Sequence, residues 1–370
     1  MSPFDALPSS CFDRRSRTVL AILVTTILMP FSAAALSAVE DGYLDIYFID
    51  VEGGACTLLV SPAGESLVID SGYPDNNGRD LNRILAVVRN VAGLKQIDHA
   101  AVTHWHLDHY GNHAALATKI SIGSFWDRGI PDALVEDEQF VTRVANYRSA
   151  SQNKSKTLKA GDMLPMKSGE TPYAIQILTA SREVIPNDGE PNPYAELHQP
   201  QPRDTTDNAA SLSFLVTFGG FRFLCCGDLT WNVEAKLMMP NNPIGQIDMF
   251  MVTHHGLPSS NNPVLVRAVD PRVAVMCNGP TKGGAESVIR TLRECESLQT
   301  LYQLHRNVRL APALQTPVDF IANRGPTQGC AGVWIRARIA PGGERYSVQI
   351  GPEGAPRSYQ SRHTVTAAGN

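Results

Sequence analysis

Residues 98–112 read DHAAVTHWHLDHYGN. The apolar run at 100–102 is typical of a buried strand, and the pattern H-x-H-x-D-H follows it at once. This pattern consists of His104, His106, Asp108 and His109. Imidazole nitrogens are common ligands of zinc and its first-row neighbours, and a carboxylate completes such a site. Four metal-capable side chains within six residues therefore predict a metal site at the end of a strand.

The spacing of these side chains suggests how they divide between ions. In extended backbone, side chains at i and i+2 point the same way. We therefore expect His104 and His106 to reach one ion while Asp108 and His109 turn toward a second. Surface histidines in a turn, or a satisfied core histidine, are the ordinary alternatives, and the density of the pattern favours the metal site.

Two later segments supply further candidates. A hairpin ends at Asp228, whose carboxylate can bridge two metals about 3.5 to 4 Å apart. An apolar strand over 246–253 then leads into T-H-H-G at 253–256. Since side chains alternate along a strand, we expect His254 to be a ligand. His255 would face the cleft on the other side, where it can stabilise an oxyanion or protonate a leaving group.

These segments form an ordered series: DVEGG at 50–54, IDSG at 69–72, H-x-H-x-D-H, NAASL at 208–212, CGD at 226–228 and THHG. The series resembles the metallo-β-lactamase-fold hydrolases, and most of all their ComEC-like branch, over roughly residues 43–350. The resemblance implies an α/β fold, a four-layer αβ/βα sandwich with one or two metal ions at the end that faces the loops. It also implies that Asp70 supports the H-x-H-x-D-H segment at 104–109, here called the metal loop. An ordinary turn aspartate is equally compatible with the sequence.

The cofactor expected from this resemblance is Zn²⁺, as one or two ions, with Mn²⁺ as an alternative. The predicted metal ligands are His104, His106, Asp108, His109, Asp228 and His254, and the predicted catalytic residues are Asp108, Asp228 and His255. Many superfamily members place a third histidine shortly before the Gly-Asp strand. This chain has Asn208 there, as in the ComEC-like branch, with His198 farther upstream. Which of the two completes the first site stays open.

The activity implied is metal-assisted hydrolysis by an activated water, with Asp108 or Asp228 accepting a proton. The branch resemblance favours a phosphodiester in a small molecule or a polymer. A β-lactam or lactone hydrolase is one alternative, and a non-catalytic binding module on the same fold is another. The net charge of -4 gives no general basic field, so charge does not support a nucleic-acid partner.

The amino terminus has the order of a secretory signal peptide. Three arginines at 14, 15 and 17 precede an apolar run at 19–29, and small residues follow at 32–38. The apolar run is shorter than the roughly 20 residues that span a bilayer. We therefore predict a signal peptide over 1–38, a hydrolase domain over 39–350 and a disordered tail over 351–370. The protein would be periplasmic or secreted, without a membrane anchor after cleavage.

Overall fold

The computed structural model describes residues 41–74 and 76–362. The predicted signal peptide lies outside these residues. Within them, the strands in chain order are β1 Leu44–Phe48, β2 Thr57–Val60, β3 Ser66–Ile69, β4 Gln96–Ala101, β5 Ser121–Asp127, β6 Lys156–Thr157, β7 Met163–Leu164, β8 Tyr173–Ala180, β9 Glu183–Val184, β10 Glu190–Pro191, β11 Ser213–Phe218, β12 Phe221–Cys225, β13 Asn241–Asn242, β14 Met249–Met251, β15 Val273–Met276, β16 Thr300–His305, β17 Ile321–Asn323, β18 Ile335–Ile339, β19 Arg345–Ile350 and β20 Arg357–Gln360. The α-helices are α1 Arg79–Ala86, α2 Leu107–Tyr110, α3 His113–Ala117, α4 Phe140–Ala150, α5 Trp231–Met238, α6 Pro263–Val269 and α7 Glu286–Arg293.

The strands form two nine-stranded sheets and one small ribbon. The first sheet has the order β20-β19-β18-β1-β2-β3-β4-β5-β6, and it is parallel from β3 to β6. The second has the order β17-β16-β15-β14-β12-β11-β8-β7, with β9 paired to β8, and it is parallel from β12 to β17. Strands β10 and β13 pair separately. Each sheet therefore has a parallel half, which requires long crossover connections, and most of these contain an α-helix.

Apolar side chains lie on both faces of each sheet, because each sheet is covered on both sides. Between the sheets, the rings of Phe48 and Phe223 meet edge to face with centroids 5.8 Å apart. The outer face of the second sheet packs against α5, α6 and α7, and that of the first sheet packs against α1 and α4. The layers are thus helices, sheet, sheet and helices. This confirms the predicted four-layer αβ/βα sandwich.

The motifs lie where parallel strands end. Strand β3 is followed by Asp70, β4 by the H-x-H-x-D-H segment, β12 by Gly227 and Asp228, and β14 by T-H-H-G. Strand β4 belongs to the first sheet, whereas β14 belongs to the second. The site is therefore assembled by both sheets, at the carboxyl ends of strands where open α/β sheets commonly bind ligands.

The carboxyl-terminal segment differs from the expected disordered tail. Strand β20 extends the first sheet by pairing with β19, and the Tyr359 hydroxyl donates to Thr300 Oγ1 at 2.9 Å. The prediction is therefore corrected for residues 351–362, while 363–370 lie outside the described residues. Over the described part of the chain, no helix has the length and apolar character needed to cross a bilayer.

Candidate metal centre

The H-x-H-x-D-H segment changes conformation halfway along. His106 is extended (φ −86°, ψ 144°), and α2 begins at the next residue. The backbone N–H of His109 donates to the His106 carbonyl oxygen at 2.9 Å. His104 thus lies in the bend before the helix and His106 in extended chain, whereas Asp108 and His109 lie in the first helical turn. This is how six residues can serve two neighbouring positions.

A buried cluster brings together Asp108, His109, Asp228 and His255. His109 Nε2 lies 3.4 Å from Asp108 Oδ2 and 3.2 Å from Asp228 Oδ2. His255 Nε2 lies 3.3 Å from each of the same oxygens and 3.3 Å from His109 Nε2. Ligands at about 2.0–2.1 Å from a tetrahedral zinc ion are about 3.3–3.4 Å apart from one another. The donor set therefore fits one such ion.

The structure places the two adjacent histidines of T-H-H-G differently from the expectation. Both have left-handed backbone, with φ of 54° at His254 and 55° at His255. Because the chain has left the strand, the alternation of side chains no longer applies. His255 belongs to the four-residue cluster, and its Nδ1 lies 3.0 Å from the Cys277 carbonyl oxygen. Its two ring nitrogens are both engaged within the protein.

His254 lies on another side of the same carboxylate. Its Nε2 is 3.4 Å from Asp228 Oδ2 and 3.5 Å from Asn208 Nδ2. Its Nδ1 lies 3.0 Å from Ser260 Oγ and 3.1 Å from Ser259 Oγ. The ring is thus fixed from behind, with the other nitrogen directed at Asp228.

The remaining two histidines approach the same region from the metal loop. His104 Nε2 is 4.0 Å from Asp228 Oδ2 and has no hydrogen-bond partner among the described residues, although it is fully buried. The rings of His104 and His106 are 4.7 Å apart between centroids. His106 Nε2 lies 2.9 Å from Glu136 Oε1, which leaves its Nδ1 as the nitrogen available to an ion. A buried imidazole nitrogen without a protein partner fits a residue that binds a metal ion.

Neither residue proposed for the place of a third histidine reaches the site as an imidazole. Asn208 contacts His254, and its Oδ1 is buried with no partner among the described residues. His198 lies against Asn262, with 3.0 Å between Nδ1 and the amide nitrogen. The imidazole beside Asn208 is that of His254.

Asp70 orients the metal loop. It is fully buried and accepts hydrogen bonds from the backbone N–H and the hydroxyl of Thr103, both at 2.8 Å. Its Oδ2 also lies 2.8 Å from His109 Nδ1. A carboxylate behind a metal-binding imidazole fixes the ring and raises its basicity. The structure thus places Asp70 in the supporting role that the resemblance implies.

The cluster keeps its carboxylates charged. Burial alone would raise the pKa of Asp228, but His109, His255 and His254 hold that pKa well below its ordinary value. Burial would likewise raise the pKa of Asp108, and His109 and its neighbours hold it well below the usual range. Both groups are therefore carboxylates at neutral pH, which is the form that binds metal.

Two side chains at the site, those of Glu136 and Lys282, were not predicted from the sequence. Glu136 comes from the segment between β5 and α4, and nothing in its surroundings in the sequence marks it. Lys282 contacts the Asp108 carboxylate, and its Nζ lies 3.4 Å from the Tyr73 hydroxyl. Burial lowers the pKa of Lys282, but Asp108 and Asp228 raise it to about 12. The glycine-rich run NGPTKGG at 278–284, directly after β15, was a signal of close backbone approach that could have drawn attention to this lysine.

A second cluster of metal-capable groups contains Asp50, Glu52, His305 and Cys330. Arg83 already pairs with both of its carboxylates, at 2.9 Å from Asp50 and 3.0 Å from Glu52. A cation there would have to compete with the guanidinium. We therefore interpret this cluster as an ion-paired support of the loop after β1.

The profile of the Metallo-beta-lactamase superfamily matches residues 49–279. Among solved structures, CmlA, a diiron beta-hydroxylase from Streptomyces venezuelae, is 17% identical with a TM-score of 0.41, and the match covers 71% of this chain and 53% of CmlA. The metallo-beta-lactamase fold protein YhfI from Bacillus subtilis is 11% identical with a TM-score of 0.41, covering 70% of this chain and 96% of YhfI. Human tRNase Z, short form, is 14% identical with a TM-score of 0.31, covering 56% and 76%.

The chain thus spans about half the length of CmlA. No curated protein sequence matches it. The family profile covers well over half of the 370 residues and includes every predicted ligand. Members of this superfamily are metal-dependent hydrolases or oxidoreductases, and most are hydrolases. By its sequence, its four layers and its cluster of imidazoles and carboxylates, the chain belongs to the metallo-β-lactamase superfamily.

Proposed function

We propose that this protein is a metal-dependent hydrolase of the ComEC-like branch that cleaves phosphodiester-type substrates. The observation that carries the metal-dependent part is the cluster of four donor atoms at mutual separations that suit a tetrahedral ion. The phosphodiester part is supported by the order of the motifs and by Asn208 in the place of the third histidine. Zn²⁺ suits a site of imidazoles and carboxylates, and Mn²⁺ is the alternative.

Two ion positions are proposed. The Asp108 position consists of Asp108, His109, His255 and Asp228. The His104 position consists of His104, His106, His254 and Asp228. Divalent ions bound there would lower the pKa of water toward ~7 and polarise the bond under attack. This assignment makes His255 a ligand, in place of the catalytic role that strand alternation suggested.

The protein's own groups have separate tasks in this proposal. Asp228 faces four imidazoles, so its carboxylate holds the two positions together. Asp108 is the less enclosed carboxylate, with a side chain 10% exposed against 3% for Asp228. A proton released in the reaction is therefore best accepted at Asp108. Lys282 is the cation beside it.

The proline-rich segment at 182–206 is proposed to shape access to the site. A cavity of about 380 Å³ lies between this segment and the residues that hold His254, and its lining includes Pro202, Trp231 and Ser259. Ser259 Oγ contacts His254 Nδ1, the ring nitrogen that faces away from Asp228, so the cavity lies beside the residues that support His254.

Metal content and a substrate panel test the proposed function together. Elemental analysis of the purified protein should find up to two ions per chain. Bis-p-nitrophenyl phosphate should be cleaved faster than nitrocefin or an acyl lactone, and a chelator should abolish the cleavage. Turnover of nitrocefin or the lactone alone would favour the alternative function, a β-lactam or lactone hydrolase. Bound metal without turnover of any substrate would indicate a binding module.

Export is a separate proposal, supported only by the pattern at the amino terminus. The mature chain should begin between Ala35 and Val39. Intact-mass analysis of protein from the native cell envelope decides this, and a chain that still starts at Met1 would contradict it.

A further inference from the structure

Lys282 lies at the rim of the Asp108 position. Its ammonium group contacts Asp108 Oδ2, the same oxygen that lies 3.3 Å from His255 Nε2. Its side chain is 33% exposed, so solvent and small ligands can reach part of it beside the cluster. The Tyr73 hydroxyl lies 3.4 Å from Nζ, and the Tyr73 ring centroid is 5.6 Å away. A cation and a hydroxyl donor therefore stand together beside the metal cluster.

The backbone holds Lys282 in this place. Its carbonyl oxygen accepts the Gly279 N–H at 2.9 Å, which closes a tight turn. The Gly284 N–H donates to the His255 carbonyl oxygen at 2.9 Å. A Cβ on Gly283 would lie 2.0 Å from that same oxygen, so this loop can approach the T-H-H-G segment only with glycine there. The lysine is therefore fixed relative to His255 and to the site.

The charge balance around Lys282 changes when metal binds. Without an ion, the ammonium is the partner of the Asp108 carboxylate. Once Asp108 is a metal ligand, its negative charge is shared with a divalent cation. Two divalent ions would more than neutralise Asp108 and Asp228, and the ammonium adds further positive charge. A positive, partly desolvated cleft favours a negatively charged ligand.

We infer that Lys282, assisted by the Tyr73 hydroxyl, is the receptor for a phosphoryl oxyanion of the substrate. This inference rests on the proposed function and specifies which group of the substrate is recognised. A lysine acts as a compact point charge toward phosphate, and a tyrosine hydroxyl can donate a hydrogen bond to the same oxygen. Lys282 is thus a binding residue that selects negatively charged substrates, and it has no part in holding the metal.

The test compares Lys282→Gln, Lys282→Arg and Tyr73→Phe with the wild-type protein, all loaded with zinc. Calorimetric titration with inorganic phosphate, and with acetate as the carboxylate probe, gives the dissociation constants. Lys282→Gln should weaken phosphate binding about tenfold or more, because a charge-assisted hydrogen bond is lost. Lys282→Arg should retain most of the affinity, and Tyr73→Phe should lose about threefold. Wild-type protein should bind phosphate more tightly than acetate.

The same variants separate substrate binding from catalysis and from metal binding. With bis-p-nitrophenyl phosphate, Lys282→Gln should raise KM more than it lowers kcat, and its zinc content should equal that of the wild type. Lys236→Gln is the matched control, since Lys236 is an exposed lysine paired with Glu183 at 3.0 Å. It should change none of these quantities.

Any of three results with Lys282→Gln would overturn the inference: unchanged phosphate affinity, a loss confined to kcat, or a loss of zinc. Tighter binding of acetate than of phosphate by the wild type would overturn it as well. A wild-type protein that binds zinc but cleaves no phosphodiester contradicts the proposed function, and the phosphate titration still reports on Lys282 in that case.

Discussion

The Asp108 position and the His104 position share the Asp228 carboxylate, but they differ in how closely their donor atoms are spaced and in how deeply they are buried. At the Asp108 position, five donor-to-donor separations fall between 3.2 and 3.4 Å, and all of the donors are buried. At the His104 position, His104 Nε2 is 4.0 Å from Asp228, and the His106 side chain is 22% exposed. The comparison indicates that the Asp108 position is preformed. The His104 position depends on support from surrounding loops.

The largest effect is expected from the residue common to both positions. Asp228→Ala should remove most of the bound metal. Its cost in metal affinity should exceed the roughly 10–100-fold loss caused by removing a group that only supports a ligand. Elemental analysis and turnover of bis-p-nitrophenyl phosphate measure it, with exposed Asp132→Ala as the control. Unchanged occupancy in Asp228→Ala would contradict the shared role.

Replacing His254 and His255 one at a time tests which ion position each histidine serves. His255→Ala should empty the Asp108 position, because it removes one of four donors from a closely spaced set. His254→Ala should weaken only the His104 position, by about 10–100-fold. Titration with Co²⁺, followed by its absorption spectrum, can count the ions bound to each variant. If His254→Ala loses the tighter ion and His255→Ala keeps it, the assignment made from strand alternation is the correct one.

A smaller effect is expected from Glu136→Gln. The Glu136 carboxylate lies against His106 Nε2, and loss of its charge should reduce ion affinity at the His104 position by roughly tenfold. The glutamine retains an oxygen for the Asp207 N–H, which Glu136 accepts at 2.6 Å. Exposed Glu138→Gln serves as the control in the same Co²⁺ titration. Equal weakening of both ions would show that Glu136 acts on the fold rather than on His106.

The smallest effect is expected at Asn208. Because His254 stands beside it and faces Asp228, Asn208→Ala should reduce metal affinity by no more than about threefold. The Kd of the weaker ion is the quantity to measure. A loss comparable with that of His254→Ala would mean that the amide oxygen of Asn208 is itself a ligand.

The fold could be predicted because an ordered series of motifs resembles a known superfamily, and the same motifs predicted which strand ends carry the candidate ligands. The spacing of His104 to His109 and the position of Asp228 after a hairpin are visible in the chain itself. The roles of His254 and His255 could not be predicted, since their backbone is left-handed and its hydrogen bonds to Gly227 and Gly284 come from segments distant in the sequence. Glu136 reaches the site only through tertiary contacts, so no local pattern could mark its role. The glycine-rich run at 278–284 marks the loop of Lys282 as a place of close backbone approach, but the contact with Asp108 is visible only in the folded chain.

The left-handed backbone of His254 and His255 bears on how the thermal stability of the folded chain depends on its metal content. This conformation costs an L-residue roughly 1–2 kcal/mol, so the metal-free chain retains two unfavourable residues at the site. An ion that binds only the folded chain adds stability by mass action, about 2.7 kcal/mol when its concentration is a hundred times its Kd. The melting temperature should therefore rise continuously with the logarithm of the zinc concentration, and more steeply once the second ion binds. The slope of that rise then reports how many ions each folded molecule carries.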